Sequence, residues 1–321
     1  MPSSADEEGQ KMDLALTVEE IDTDLYRSVE LWHPHGSRGA FGGQLVAQAL
    51  RAAWKTVPEN FHIHSLHNYF IWPGNAEIPV MYQIKRLRDG KSFSTRVVHA
   101  TQRGKTTLFC LCSFVRTDDS SISLEHQSKM PDVASAESLP NERERVEMLM
   151  ATGKLPEKYR PYLERYLDLA LPVEYRNVHI DTPEEARWFR VRGQLRDDDP
   201  SLHACSIAYA SDSGLLYTAA RANGQANSKR IGMMTSLDHS IWFHAPTRAD
   251  EWLLYDMHSP RSNDGRGTAF GRIYNQRGQL VATTSQEGVM RLSRKEQALR
   301  REKMQQSEEQ QDQAKTSTSK L

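Results

Sequence analysis

Cysteine is scarce in this sequence. The chain of 321 residues has three cysteines, Cys110, Cys112 and Cys205. Three cysteines are too few for a structural zinc site built from cysteine ligands alone. Cys110 and Cys112 are two residues apart in an apolar run, so they are expected to share one face of a strand. We interpret them as buried apolar thiols in a reducing compartment, and not as a redox pair.

An excess of one charge sign and long apolar runs are also missing. The 41 basic and 42 acidic side chains leave a formal net charge of -1, whereas a nucleic-acid-binding protein normally carries a basic face. No apolar run approaches the length of a membrane span. The N-terminal residues, MPSSADEEGQK, are acidic and polar, unlike a secretory signal or a transit peptide. We therefore expect a globular protein with no nucleic-acid partner and no membrane span.

The densest histidine cluster lies in the segment FHIHSLHNYF. His62 and His64 would share one strand face, and His67 would point away from them. Because no set of cysteines or carboxylates lies nearby in the sequence, we predict no metal site there, and we expect no cofactor.

The hydrophobic pattern divides the chain into five parts. A helical stretch, FGGQLVAQALRAAWKTV, precedes four strand-like runs that are separated by turn sequences such as DGK and QRGK. A charged segment with several prolines and one clear short helix, NERERVEMLMATG, comes next, and then a second helix with further strands. The predicted parts are a flexible lead (1–17), a first unit (18–117), a linker (118–172), a second unit (173–292) and a polar tail (293–321).

The two units resemble each other. The tripeptide SLH at 65–67 corresponds to SLD at 236–238, and QRG at 102–104 corresponds to QRG at 276–278, at a nearly constant offset. Each unit has a helix followed by long strands in the same order, which predicts an internal duplication. Two such curved antiparallel sheets would pair edge to edge and remove one exposed edge from each.

The stretch TSLDHSIWFH contains the three residue types of a hydrolase triad in a row: Asp238, His239 and Ser240. Neighbouring residues of a strand point to opposite faces, so these three side chains cannot converge. Strict alternation places Ser236, Asp238 and Ser240 on one face and His239 on the other.

The polar tail is nearly free of large apolar residues after Leu292. We expect that it cannot order itself alone, although its first part can continue as an exposed helix. It ends in Ser319-Lys320-Leu321, the tripeptide that the peroxisomal import receptor reads. The tail therefore predicts import into the peroxisomal matrix.

Several motifs together resemble the acyl-CoA thioesterase II family, and the branch they most resemble is peroxisomal. The motifs are FGGQLVAQAL, HSLHNYFIWPG and LRDGKSFSTRVV in the first unit, and YASD, SLDHSIWFH, EWLLYD and SQEGVMR in the second. They span the chain from about Val18 to Leu292. The resemblance implies an α+β double hotdog fold, in which two fused units each wrap a curved antiparallel sheet around a long helix. It also implies further assembly into a homo-oligomer and hydrolysis of fatty acyl-CoA to free fatty acid and CoA.

The resemblance also implies the site residues. In this family an Asp, a Ser or Thr, and a Gln of the second hotdog orient and activate the attacking water. Here these positions correspond to Asp212 in YASD, Ser236 in SLDHS and Gln286 in SQEGVMR. Asp212 is the one candidate base among the three, and the other two side chains can hold a water. Gly42 and Gly43, at the start of the first helix, are candidates for an oxyanion-binding nest.

Two other functions remain open from the sequence. A hotdog enoyl-CoA hydratase or dehydratase would need an Asp and a His on one helix or its adjoining loop. His203 and Asp212 are the available pair, but nine residues separate them. The other alternative is a non-catalytic acyl-CoA-binding protein.

Overall fold

A computed structural model describes residues 4–34, 39–116, 124–153, 156–161, 164, 172–178, 184–224 and 230–318. Within these ranges the α-helices are α1 (Ser4–Leu16), α2 (Gly42–Trp54), α3 (Glu142–Ala151), α4 (Pro200–Asp212), α5 (Tyr217–Ala222) and α6 (Arg294–Thr318). The strands are β1 (Val18–Asp22), β2 (Leu25–Ser28), β3 (Phe61–Phe70), β4 (Met81–Asp89), β5 (Phe93–Gln102), β6 (Lys105–Arg116), β7 (Val173–Val178), β8 (Glu185–Val191), β9 (Ile231–Ser236), β10 (Asp238–Phe243), β11 (Leu253–Asn263), β12 (Arg266–Asn275) and β13 (Leu280–Leu292).

The strands form one continuous sheet whose two halves have the same order. One half runs β2-β4-β5-β6-β3 outward to inward, and the other runs β8-β11-β12-β13-β10. The halves join through antiparallel pairing of β3 with β10, from Tyr69 opposite Asp238 to Ser65 opposite Trp242. The predicted duplication, edge-to-edge pairing and double hotdog fold are therefore confirmed.

Helices α2 and α4 pack against each other over the inner face of this sheet. In α2 the residues from Gly43 to Leu50 are all buried, and in α4 Leu202, Cys205 and Ala208 are buried. Asp199 accepts a hydrogen bond from the Leu202 N–H, and Pro200 occupies the first turn of α4; together they define the start of that helix. Small residues along both helices allow a close approach between them.

The predicted flexible lead is wrong for its described part. Residues Ser4–Leu16 form α1, in which Met12 and Leu16 are fully buried in the main core. The side-chain amides of Gln44 and Gln48 both donate to the Ala15 carbonyl. The segment is mostly polar, but Met12 and Leu16 are four residues apart and therefore lie on one face of the helix. This apolar face packs against the core.

The described part of the linker covers the outer face of β7, β8, β11 and β12. Its predicted helix is confirmed as α3, which begins with a capping box between Asn141 and Glu144. Before that helix, the Trp188 indole N–H donates to the Ala134 carbonyl, and Ser128 hydrogen-bonds to the Tyr274 hydroxyl. The linker therefore shields apolar surface that the second sheet would otherwise expose.

The interpretation of Cys110 and Cys112 as buried thiols is confirmed: both are fully buried, and their sulfurs lie 3.6 Å apart. The first part of the tail is helical as predicted, and α6 continues to Thr318. The targeting tripeptide Ser319-Lys320-Leu321 lies outside the described residues. No helix in the described ranges has the length and apolar character needed to cross a membrane.

Candidate active site

The three side chains taken from the motifs meet at one point. The Gln286 amide nitrogen donates to the Asp212 carboxylate at 2.6 Å and to the Ser236 hydroxyl at 3.0 Å. These bonds bridge 74 and 50 residues of sequence, respectively. Gln286 is 1% exposed. Its two amide hydrogens therefore fix the carboxylate and the hydroxyl relative to each other.

Asp212 is the last residue of α4. The Tyr255 hydroxyl donates to the carbonyl of the preceding Ser211, and Gly214, at φ 81°, turns the chain away after the helix. The end of α4 is thereby held against the sheet, with the carboxylate of Asp212 next to β13.

The start of α2 faces the same carboxylate. The Gly43 N–H donates to Asp212, and a Cβ atom on Gly42 would lie 2.9 Å from the second carboxylate oxygen and 3.0 Å from the Phe70 ring. This corrects the expected role of Gly43, because its N–H is bonded to Asp212 and is not free for an oxyanion. The positive end of the α2 dipole stabilises the ionised carboxylate.

Burial raises the pKa of Asp212 to about 6, against the opposing effects of the Gln286 and Gly43 hydrogen bonds. Desolvation disfavours the charged form, while donors to the carboxylate favour it. The resulting pKa suits a general base that works near neutral pH.

A break between two strands decides where Ser236 points. Leu237 separates β9 from β10, and both strands pair with β13 in different registers. Ser236 lies opposite Gly288 and its hydroxyl reaches Gln286, whereas Ser240 lies opposite Ser285 and its hydroxyl contacts His67 on the outer side. The predicted sharing of one face by Ser236, Asp238 and Ser240 is therefore wrong, because the alternation restarts after Leu237.

Two polar residues beside the site were not identified as site residues from the sequence. His239 is fully buried, and its Nε2 hydrogen-bonds to Ser211, the residue before Asp212. Asn68 of the first half lies opposite His239 and is 4% exposed. A buried histidine and a buried asparagine on neighbouring strands become recognisable only once the β3–β10 register is known.

His203 does not reach the site. Its Nδ1 accepts a hydrogen bond from the Ala249 N–H near the start of α4. Nine helical residues place it roughly 13 Å along the helix axis from Asp212. Within the described ranges, no group of three or more His, Cys, Asp or Glu side chains is arranged to hold a metal ion.

Sequence models of known families match both halves. The acyl-CoA thioesterase N-terminal domain matches residues 29–115, and the acyl-CoA thioesterase C-terminal domain matches residues 133–290. Mouse acyl-coenzyme A thioesterase 8 is 40% identical over 285 residues, covering 86% of this chain and 88% of the relative. A yeast relative, peroxisomal acyl-coenzyme A thioester hydrolase 1 of Saccharomyces cerevisiae, is 28% identical over 305 residues. The matched region covers 80% of this chain and 87% of the yeast protein.

A solved structure agrees with these matches. The acyl-CoA thioesterase II TesB2 from Mycobacterium marinum superposes with a TM-score of 0.71 at 32% identity, covering 88% of this chain and 99% of the other. With both halves matched in order and the fold shared over nearly the whole length of that relative, the chain belongs to the acyl-CoA thioesterase II family.

Proposed function

We propose that this protein hydrolyses fatty acyl-CoA by direct attack of a water molecule on the thioester carbonyl, with Asp212 as the general base. The observation that carries the proposal is the Gln286 amide, which joins Asp212 and Ser236 in one hydrogen-bonded unit. Because the Ser236 oxygen accepts from Gln286, its own hydrogen remains available to a water or to the thioester oxygen. Ser236 thus orients water and is not the nucleophile.

The proposed reaction has two steps. Asp212 takes a proton from water while the water oxygen forms a bond to the carbonyl carbon, giving a tetrahedral oxyanion. The oxyanion then collapses, the carbon–sulfur bond breaks, and the CoA thiolate takes the proton from Asp212. The Gly42 N–H, at the start of α2, is the donor that we propose for the oxyanion. Residues 173–292 then form the catalytic hotdog, and residues 18–117 supply the helix start.

The geometry favours hydrolysis over the alternatives. A hydratase that uses Asp212 and His203 is disfavoured because His203 is bonded to the Ala249 backbone at the other end of α4. A protein that only binds acyl-CoA would have no need for a carboxylate whose pKa is raised to about 6 beside a hydroxyl and an amide.

The mechanism is tested by replacing the base. Asp212→Asn keeps the shape and an acceptor for Gln286, so acyl-CoA binding should survive while thiol release from octanoyl-CoA and palmitoyl-CoA falls by roughly a thousandfold or more, as expected when a general base is lost. Asp238→Asn, a change at a carboxylate that accepts from the Glu287 N–H, is the matched control and should retain activity. Full turnover in Asp212→Asn would rule out Asp212 as the base, and no thiol release from wild type with any chain length would end the thioesterase proposal.

We also propose that the protein works in the peroxisomal matrix. The chain ends in Ser319-Lys320-Leu321 after a polar segment, and one relative, from yeast, is named peroxisomal. Deletion of the three residues should leave thioesterase activity intact and the protein in the cytosol, measured by fluorescence microscopy of an N-terminally tagged chain. The experiment is done in cells that lack the full-length protein, so that the truncated chain cannot be imported together with it. Continued import of the truncated chain in these cells would contradict the proposed address.

A homo-oligomer is the third part of the proposal. Exposed aromatic side chains occupy the outer face of the central strands of both halves: Tyr69, Phe109, Trp242 and Phe270. The described linker covers only the strands at the far end of the second half. Because the two halves have the same strand order, this central face is close to two-fold symmetric and suits pairing with a second copy.

A further inference from the structure

Three buried polar side chains form a row across the boundary between the halves. Asn68 on β3 lies opposite His239 on β10, and extending the pairing of Ser240 with Ser285 by one residue places His239 beside Gln286 on β13. The three side chains are 4%, 0% and 1% exposed, respectively. Neighbouring strands are separated by about 4.8 Å, so the row is compact.

Each of these side chains has polar atoms with no partner among the described residues. They are both amide atoms of Asn68, the Nδ1 of His239 and the carbonyl oxygen of Gln286. Buried polar atoms in proteins are nearly always hydrogen-bonded, so a cluster of unpartnered ones indicates a ligand with matching donors and acceptors.

The hydrogen positions follow from the existing bonds. The Ser211 hydroxyl donates to the Ala208 carbonyl, so it must accept from His239, whose Nε2 therefore carries the ring hydrogen. His239 stays neutral because burial lowers its pKa to about 3. Its Nδ1 is then an acceptor. Gln286 has given both amide hydrogens to Asp212 and Ser236, so only its carbonyl oxygen is free, also as an acceptor.

We propose that Asn68, His239 and Gln286 together bind a buried water molecule, which makes Asn68 a positioning residue for the catalytic unit. The water donates its two hydrogens to the Gln286 carbonyl and the His239 Nδ1, and it accepts from the Asn68 amide. The Gln286 and His239 acceptors take both water hydrogens and the Asn68 N–H donates to the water oxygen, so one water molecule matches these three groups, and the Asn68 carbonyl oxygen is not used by it.

The bound water would fix which way the Gln286 amide points. A flipped amide would present its oxygen to Asp212 and lose both bonds that join the carboxylate to Ser236. A water that donates to the Gln286 oxygen stabilises the productive orientation only. In this way a residue of the first half controls a hydrogen bond that lowers the pKa of Asp212 in the second half.

The inference rests on the proposed function and is tested by Asn68→Leu, which keeps the approximate size but removes the donor. We expect kcat to fall roughly tenfold with little change in KM, because the proposed role of Asn68 is to orient Gln286 and not to bind substrate. The lower midpoint of the pH–rate profile should move upward, since Asp212 loses the full effect of its Gln286 bond. A high-resolution crystal structure of the wild-type protein should show the water, and that of Asn68→Leu should lack it.

Thr107→Val is the matched control. It removes a buried hydroxyl that donates to the Ala100 carbonyl within the sheet, and it should leave the pH midpoint unchanged. If Asn68→Leu fails to fold, Asn68→Ser keeps a donor and should show a smaller shift in the same direction. A folded Asn68 variant with wild-type kcat and an unmoved midpoint, or a wild-type crystal structure without the water, would overturn the inference. Loss of activity in Asp212→Asn alongside that result would leave the proposed function standing.

Discussion

At the residue scale, the environment of Asp212 affects both its pKa and the stability of the fold. Its carboxylate is desolvated, which raises its pKa to about 6, yet the Gly43 N–H and the Gln286 amide keep the ionised form accessible at neutral pH. A surface aspartate would have a pKa of about 3.9 and would be a weaker base. The raised pKa therefore lowers the free energy of unfolding at neutral pH.

That cost gives a prediction about stability and pH. Below about pH 4 Asp212 is protonated in both the folded and the unfolded chain, so it has no effect. As the pH rises from about 4 to about 6, only the unfolded chain loses the proton freely, and the folded state becomes destabilised by on the order of 3 kcal/mol. In urea unfolding, Asp212→Asn should thus be more stable than wild type at pH 8. At pH 4.5 the difference in free energy of unfolding between the two should be much smaller.

The control for this measurement is Asp22→Asn, which changes an exposed carboxyl outside the site. Its stability difference from wild type should vary little over the same pH range. A constant difference between wild type and Asp212→Asn at both pH values would show that Asp212 is not desolvated in the folded protein.

Candidate site residues could be predicted from the sequence only where they lie within a family motif. YASD, SLDHS and SQEGVMR identify Asp212, Ser236 and Gln286, and the structure brings these three together. The bond from Gly43 to Asp212 could not be predicted, because it depends on how α2 crosses α4. The same reason hid Asn68, whose partner strand belongs to the other half.

At the scale of elements, the break at Leu237 is the decisive feature of the second half. The Leu237 N–H donates to the Glu287 carbonyl, and its own carbonyl accepts from the Phe70 N–H, so this residue is held on both sides. The inner-facing positions change from even to odd numbers across it. A simple period of two is correct within each strand and fails at such a junction.

The break predicts opposite outcomes for two serines that are four residues apart. Ser236→Ala should lower kcat for acyl-CoA hydrolysis by about tenfold to a hundredfold, because water loses an orienting partner. Ser240→Ala, in which only a contact to His67 is lost, should be nearly neutral. Ser236→Thr should restore most of the activity, since the hydroxyl is kept.

Steady-state thiol release measures all three variants, and circular dichroism verifies that each is folded. Equal losses in Ser236→Ala and Ser240→Ala would mean that both serines face the same side. The strand assignment around Leu237 would then be incorrect.

At the scale of the whole molecule, the two ends of the α2–α4 helix pair differ within the described part of the chain. Where the start of α2 meets Asp212, the start of α4 at the opposite end meets Arg51, which forms an ion pair with Asp199 at 2.8 and 2.5 Å. This ion pair holds the pKa of the Asp199 carboxyl well below its usual range. One end of the helix pair therefore carries this ion pair, and the other carries the Asp212 carboxylate, which is the proposed base.

The duplication itself was readable from the sequence because the two halves keep similar turns and strand order. The sheet joins through β3 and β10, and this agrees with the predicted edge-to-edge pairing. The packing of α1 against the core could not be predicted, because it depends on hydrogen bonds from Gln44 and Gln48, which are distant in the sequence. Local composition does not record such contacts.

The exposed central sheet face gives the last prediction. Trp242 is 38% exposed on this face and stacks edge-on against His67. Wild-type protein should therefore have a solution mass that is a multiple of its 36.6 kDa chain mass in light scattering. Trp242→Glu places a charge in the proposed interface, and across a two-fold axis each charge would face its own copy, so the assembly should dissociate.

Leu124→Glu is the control for a general effect of an added charge, because Leu124 is fully exposed in the linker. That variant should keep the wild-type mass. Since Asp212, Ser236 and Gln286 lie on the inner face of one chain, dissociated Trp242→Glu should retain thioesterase activity. A wild-type protein that stays at the chain mass at micromolar concentration would mean that the outer face is simply solvated, and loss of activity on dissociation would mean that a second copy contributes to the site.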